Sequence, residues 1–310
     1  MANTARVKAY SELELEAPHV LPSDESLIRQ SWPSEGAIKF NNIFLKYRAN
    51  TDHVINGLSL SVKPGEKIGC VGRTGAGKSS IIQALFRMVE IDKNAYPGTS
   101  IMIDDVDTSE IGLHALRKSI SIIPQTPFIF TGTIRSNLDP LQKHNDEEII
   151  QALEETGLWE YVRTLPEGLD TEMANASSVF SFGQKQLISL ARIFLHKNKI
   201  VVLDEATANI DFETDNFIQR KIMEKFKNET IFTIAHRLST VANYDKILVM
   251  KNGRAVEFDH PFKLLAKDVS DETITNTEGI FASMVKNTGC KHAAVIFELL
   301  KRVIFGNVIK

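Results

Sequence analysis

Gly72-Arg73-Thr74-Gly75-Ala76-Gly77-Lys78-Ser79 is the stretch that decides the fold. It satisfies G-x-x-x-x-G-K-[ST] and follows the β-like run Lys67–Val71. After it Ile81, Ile82, Leu85, Phe86 and Val89 recur at helical spacing. Strand, glycine loop and helix in that order make the first unit of an α/β layer fold. Glycines let the backbone wrap closely around a polyphosphate, so that consecutive N–H groups and the positive helix N-terminus face its oxygens. The candidate phosphate contacts are therefore Gly72, Thr74, Gly75, Ala76, Gly77, Lys78, Ser79 and Ser80. Lys78 would reach the β- and γ-phosphates, and the Ser79 hydroxyl would coordinate Mg²⁺.

Outward from this loop, the runs Ala37–Phe40 and Leu58–Val62 read as short strands, with Asn56-Gly57 and Pro64-Gly65 as turn signals. Further apolar runs at Ile120–Ile123, Ile200–Leu203, Thr230–Ile234 and Ile247–Met250 alternate with helical stretches, as a mostly parallel, covered sheet requires. Between Ser136 and Ile193 the helical periods Asp146–Thr156 and Gln184–Leu195 stand without a strong strand between them, which predicts a helical insertion. The run Ile200–Leu203 ends in Asp204 and Glu205. An Asp there can hold Mg²⁺ through water, and the next carboxylate can orient or deprotonate a water attacking the γ-phosphate. Gln125 follows Ile120–Pro124 in the same manner, and His236 ends the run Thr230–Ala235. A lone histidine is usually a hydrogen-bonded structural residue; these two gain meaning as members of an ordered set.

Composition bounds the rest. The 310 residues are 43% hydrophobic and 24% charged, those of an ordinary globular chain. Thirty-six Lys plus Arg against 39 Asp plus Glu give a formal charge of −3, so no global basic field recruits nucleic acid or anionic lipid. Two cysteines, Cys70 and Cys290, exclude a disulfide scaffold or a cysteine metal cluster. The first residues lack the apolar stretch of a secretory leader, and no run reaches the roughly 18 apolar residues of a membrane span. The chain is expected to be soluble on its own.

Taken in order, Gly72–Ser79, Gln125, Ser181-Phe182-Gly183-Gln184-Lys185-Gln186, Leu203–Asp211 and Ala235-His236-Arg237 resemble the ATP-binding cassette ATPases over about Ala37 to Asn287. Ser31-Trp32-Pro33, Leu45–Arg48, Phe128–Pro140 and Phe180–Gln186 are similar to the second nucleotide-binding domain of multidrug-resistance-associated, C-type exporters. The resemblance implies an α/β P-loop NTPase (RecA-like), its mostly parallel sheet joined by an antiparallel β subdomain and an inserted helical subdomain. It implies ATP and Mg²⁺ as ligands. It assigns Tyr47 to stacking on adenine, Gln125 to sensing Mg²⁺ and water at a hinge, and Asp204 to the second Mg²⁺ anchor. Glu205 becomes the general base, His236 the γ-phosphate contact and Asp211 an inter-domain contact. Aromatics are frequent in strands, so plain packing is the alternative for Tyr47.

The same resemblance gives Ser181, Gly183 and Gln184 contact with the ATP of an opposing domain, so that hydrolysis needs a second nucleotide-binding domain in a hetero- or homodimer. Phe182 stands where the family carries glycine, a bulky residue where phosphate is approached closely. Membrane-spanning partner domains and a place at the cytoplasmic face of a membrane are also implied. Residues 1–36 read as a linker with room for a short helix over Arg6–Glu16, residues 37–288 as the ATPase domain, and residues 289–310 as an amphipathic tail. In that tail Val295, Ile296, Leu299, Leu300, Val303 and Ile304 form the expected apolar face. Two other functions fit less well: a cassette ATPase acting on nucleic acid or translation machinery, and an ATP-dependent dimerisation module with little turnover.

Overall fold

The computed structural model describes residues 2–13, 15–173, 180–205, 212–235, 237–266, 273–276 and 278–308, with side chains as far as Lys301 except at residues 2, 3, 5, 9 and 212. Among these residues ten strands form two sheets: β1 (Ile38–Leu45), β2 (Ile55–Val62), β3 (Lys67–Val71), β4 (Ser100–Ile103), β5 (Val106–Asp107), β6 (Ile120–Ile123), β7 (Ile200–Asp204), β8 (Thr230–Ile234), β9 (Lys246–Lys251) and β10 (Arg254–Asp259).

The larger sheet has the order β10-β9-β3-β8-β7-β6. All its pairings are parallel except β10 with β9. Every residue of β3 and β8 is buried, as are the first four of β7; a strand covered on both faces carries no polar alternation. The strand order aligns the carboxyl ends of β3, β8, β7 and β6, so the loops after them become neighbours. Ligands of open α/β sheets bind at such an edge. Cys70 lies buried in β3, where burial pushes its thiol up to about 12, whereas Cys290 is exposed.

The smaller sheet, β2-β1-β4-β5, is antiparallel throughout. Asn56-Gly57, expected as a turn, instead lies inside β2. Its glycine is the extra residue of a bulge: Ile43 pairs with Leu58 and Phe44 with Asn56, and Gly57, at φ +71°, is left between them. The inserted helices are Ile134–Leu138, Asp146–Glu155, Trp159–Val162 and Phe182–Leu195, the last entering the core through Ile188, Leu190, Ala191 and Phe194.

Two terminal expectations change. The first helix spans Ala2–Ser11 rather than Arg6–Glu16. Much of what composition reads as linker lies against the protein: the Trp32 indole donates to the Ile103 carbonyl (3.0 Å), and Asp24, buried, accepts from Gly112 N–H (2.9 Å). Asp104 accepts from the N–H groups of Glu35, Gly36 and Ala37. A few anchors suffice where average composition suggests none. At the other end the helix Cys290–Val308 buries Ala293, Ile296, Phe297 and Leu300, an i, i+3, i+4, i+7 stripe, while Val295 faces solvent. The docked face is thus rotated from the expected one; the Val303 and Ile304 side chains lie outside those described. Among the described residues no helix is long and apolar enough to cross a membrane.

Candidate functional site

The glycine loop bridges the end of β3 and the helix Lys78–Leu85, with Gly72, Gly75 and Gly77 all at positive φ. At Gly72 a Cβ would lie 2.4 Å from the Met250 carbonyl oxygen, a separation no side chain tolerates. Thr74, Gly75 and Ser79 are exposed; Ala76 and Ser80 are buried. The Lys78 ammonium folds back to donate to the carbonyls of Gly72 (2.9 Å) and Arg73 (3.3 Å), where an anion could replace those weaker acceptors. A cavity of about 450 Å³ opens on one flank of the loop, lined by Gly72 to Ala76, the Met250–Asn252 turn and residues of the helix Ile280–Lys286.

Tyr47 follows the end of β1 and is 51% exposed, which sets aside its reading as strand packing. Its hydroxyl lies 3.0 Å from Ser80 Oγ. The surrounding loop is clamped by a residue that the motifs did not flag. Asp92 accepts from Lys46 Nζ (2.8 Å) and from His53 Nε2 (3.2 Å), one on each side of Tyr47 in the chain. The Lys46 hydrogen bond first, then one from the Ala95 N–H and that from His53, hold the Asp92 carboxyl down at about 2. Nothing in a lone Asp between helix and strand signals this from sequence.

Asp204 is the last residue of β7 and Glu205 the first beyond it. Glu205 takes a left-handed backbone, φ +45°, and donates its N–H to the Ile234 carbonyl (3.0 Å). Gln125, just past β6, donates Nε2 to Glu205 Oε2 at 3.2 Å. Burial raises the Asp204 pKa, the Glu205 charge adds to the rise, and Lys78 opposes it. The oxygen donors of Ser79, Asp204 and Gln125 suit a hard divalent cation, and the raised Asp204 pKa is what two partly buried carboxylates show when Lys78 only partly offsets their charge. The structure therefore brings Lys78, Asp204, Glu205 and Gln125 to one edge of the sheet. His236 and Asp211 lie outside the described residues.

The signature string belongs to the helical insertion. Ser181 caps the helix Phe182–Leu195: its Oγ accepts from Gln184 N–H (3.2 Å), and Gln184 Oε1 accepts from Ser181 N–H (2.8 Å). Gly183 lies in the first turn between them. Phe182 is partly buried and packs against the core cluster that includes Phe180 and Ile188. Gln186 closes the signature string, which gave it no role of its own. It is 1% exposed, and its Nε2 donates to the carbonyls of Pro124 (3.2 Å) and Gln125 (3.1 Å).

The ABC transporter family model matches residues 55–208. The chain is 47% identical over 305 residues to the human ATP-binding cassette sub-family C member 4, covering 98% of this chain and 22% of that protein. It is 44% identical over 291 residues to a probable multidrug resistance-associated protein, lethal(2)03659, of Drosophila melanogaster, covering 93% and 20%. The chain thus spans about a fifth of the length of the curated relatives it matches. Among solved structures, a bacterial Atm1-family ABC exporter with ATP bound matches with a TM-score of 0.77 and 26% identity, over 93% of this chain and 47% of that one.

Proposed function

This chain belongs to the ABC transporter family, and from that premise we propose that it is the nucleotide-binding cassette of a C-type exporter. It binds ATP, pairs with a second cassette and couples hydrolysis to movement of membrane-spanning segments, lying at the cytoplasmic face of their membrane. The observation that carries this reading is the Gln125–Glu205 contact beside Asp204, at the ends of β6 and β7 on the same edge of the sheet as the glycine loop.

Each residue has a task. Backbone N–H groups of the loop and Lys78 hold the β- and γ-phosphates, and Tyr47 offers its exposed ring to adenine. Ser79, Asp204 and Gln125 would hold Mg²⁺, which when bound neutralises charge on the phosphate oxygens. Glu205, hydrogen-bonded to Gln125, orients a water and takes its proton as that water attacks in line. His236 contacts the γ-phosphate. Ser181, Gly183 and Gln184 serve the nucleotide of the opposing cassette, with the positive end of their helix toward it.

The test is ATP binding and phosphate release by the purified chain, alone and mixed with a cassette whose signature carries both glycines. Glu205→Gln is expected to keep ATP affinity while turnover falls by about a hundredfold or more, the usual worth of a general base. Turnover near that of the wild type would remove Glu205 from the role, and no affinity for ATP at millimolar levels would overturn the whole reading.

A further inference from the structure

Resting on the cassette reading above, we infer that Gln186 is a positioning residue that ties the signature helix of one half-site to the hydrolytic residues of the other. Three facts converge on it. Gln186 is buried at 1% exposure in the second turn of the helix Phe182–Leu195, the helix capped by Ser181. Its amide N–H₂ donates to two successive backbone carbonyls, Pro124 and Gln125, at the hinge where β6 leaves for the helical insertion. Its Oε1 is buried with no hydrogen-bond partner, so the side chain serves here as a donor only.

Buried amides usually satisfy both ends, because an orphaned acceptor costs about 1–3 kcal/mol. The two donated bonds fix the place of the side chain. The consequence is geometric. Arg192 on the same helix donates to the Phe128 and Asn137 carbonyls, so the segment from Pro124 to Phe128 is held to the signature helix at both ends. Gln125, inside that segment, contacts Glu205 through its own side chain at 3.2 Å. A rotation of the signature helix that carries Ser181 toward or away from an opposing nucleotide therefore drags the Gln125 backbone, and with it the amide that orients Glu205. One chain's two half-sites thus communicate through Gln186, with Arg192 holding the far end of the segment.

The test uses Gln186→Ala and Gln186→Glu in the full chain, mixed with the intact-signature cassette. Gln186→Ala is expected to keep ATP affinity within about twofold, since the phosphate loop is untouched, while kcat falls roughly tenfold to a hundredfold, the usual cost of misplacing a reacting group. Hydrogen exchange provides the second readout. In the wild type, ATP should protect the 124–130 and 181–190 segments together; in Gln186→Ala the first should lose that response and the second keep it. Gln186→Glu adds a pH readout: the ionised carboxylate repels both carbonyls, whereas the protonated acid donates to one. Its relative kcat should therefore rise as pH falls, with burial bringing that rise toward neutrality.

Unchanged kcat in Gln186→Ala, or kcat and affinity falling together in both variants, would overturn the inference. So would a Gln186→Glu profile parallel to that of the wild type, which decides the matter even if Gln186→Ala does not fold. Failure of the wild type itself to bind or hydrolyse ATP would instead count against the cassette reading, so the two are separable.

Discussion

Glu205 sits in a left-handed conformation that costs a non-glycine residue about 1–2 kcal/mol, and the Ile234 carbonyl that its N–H reaches is part of what holds it there. Asp92 gives the residue scale a measurable counterpart. Its carboxyl is held at about 2 against an ordinary value of 3.8, so the folded state favours the ionised form. The stability it contributes is fully present above pH 4 and is lost as pH falls through about 2. Asp92→Asn should therefore be less stable than the wild type near neutrality, and thermal melts of the two should converge between pH 4 and pH 2; a constant gap would show that Asp92 does not titrate with folding. Lys78, Ser79, Asp204 and Glu205 could be picked out by their offset from the glycine loop or a strand end, whereas the roles of Tyr47, Gln125, His236 and Ser181 came only from the family resemblance. Asp92 could not be picked out, since its partners lie on segments remote in the chain; Gln186 stood in the signature string, but its role exists only once Pro124 and Gln125 have been brought beside it.

At the scale of elements, the buried runs announced themselves: β3, β7 and β8 match the apolar stretches residue for residue or nearly so, because covered parallel strands have no polar face to blur them. β4, β5 and β10 were missed. β5 has two residues, β4 four, and β10 no fully buried position, so none offers a period to read. Asn56-Gly57 misled for a physical reason: the left-handed freedom that makes glycine a turn former also makes it a bulge former. Gly57→Ala would keep φ +71° under strain, with its Cβ 3.3 Å from Asn42 Oδ1. A loss of about 1 kcal/mol, roughly 2 °C in Tm, is the expected outcome. An unchanged Tm would mean that the bulge relaxes into a regular ladder.

For the whole molecule, the N-terminal segment acts as a strap rather than a tether. Trp32 at Ile103, Asp24 at Gly112, and Asp104 under Glu35 to Ala37 pin it along the antiparallel sheet. Movement delivered to this segment from further along a polypeptide would thus be felt by the β subdomain directly. Trp32→Ala should cost about 2 kcal/mol for a partly buried indole and should raise hydrogen exchange in β4 while leaving the helical insertion as it was. Equal exchange in both regions would argue that the strap carries no local load. The two thiols complete the view at this scale. Because Cys70 is sealed in the middle of the large sheet and Cys290 stands at the open start of the terminal helix, the chain carries a single natural attachment point for a maleimide dye. The uptake of a second dye then marks the moment when β3 parts from its neighbours.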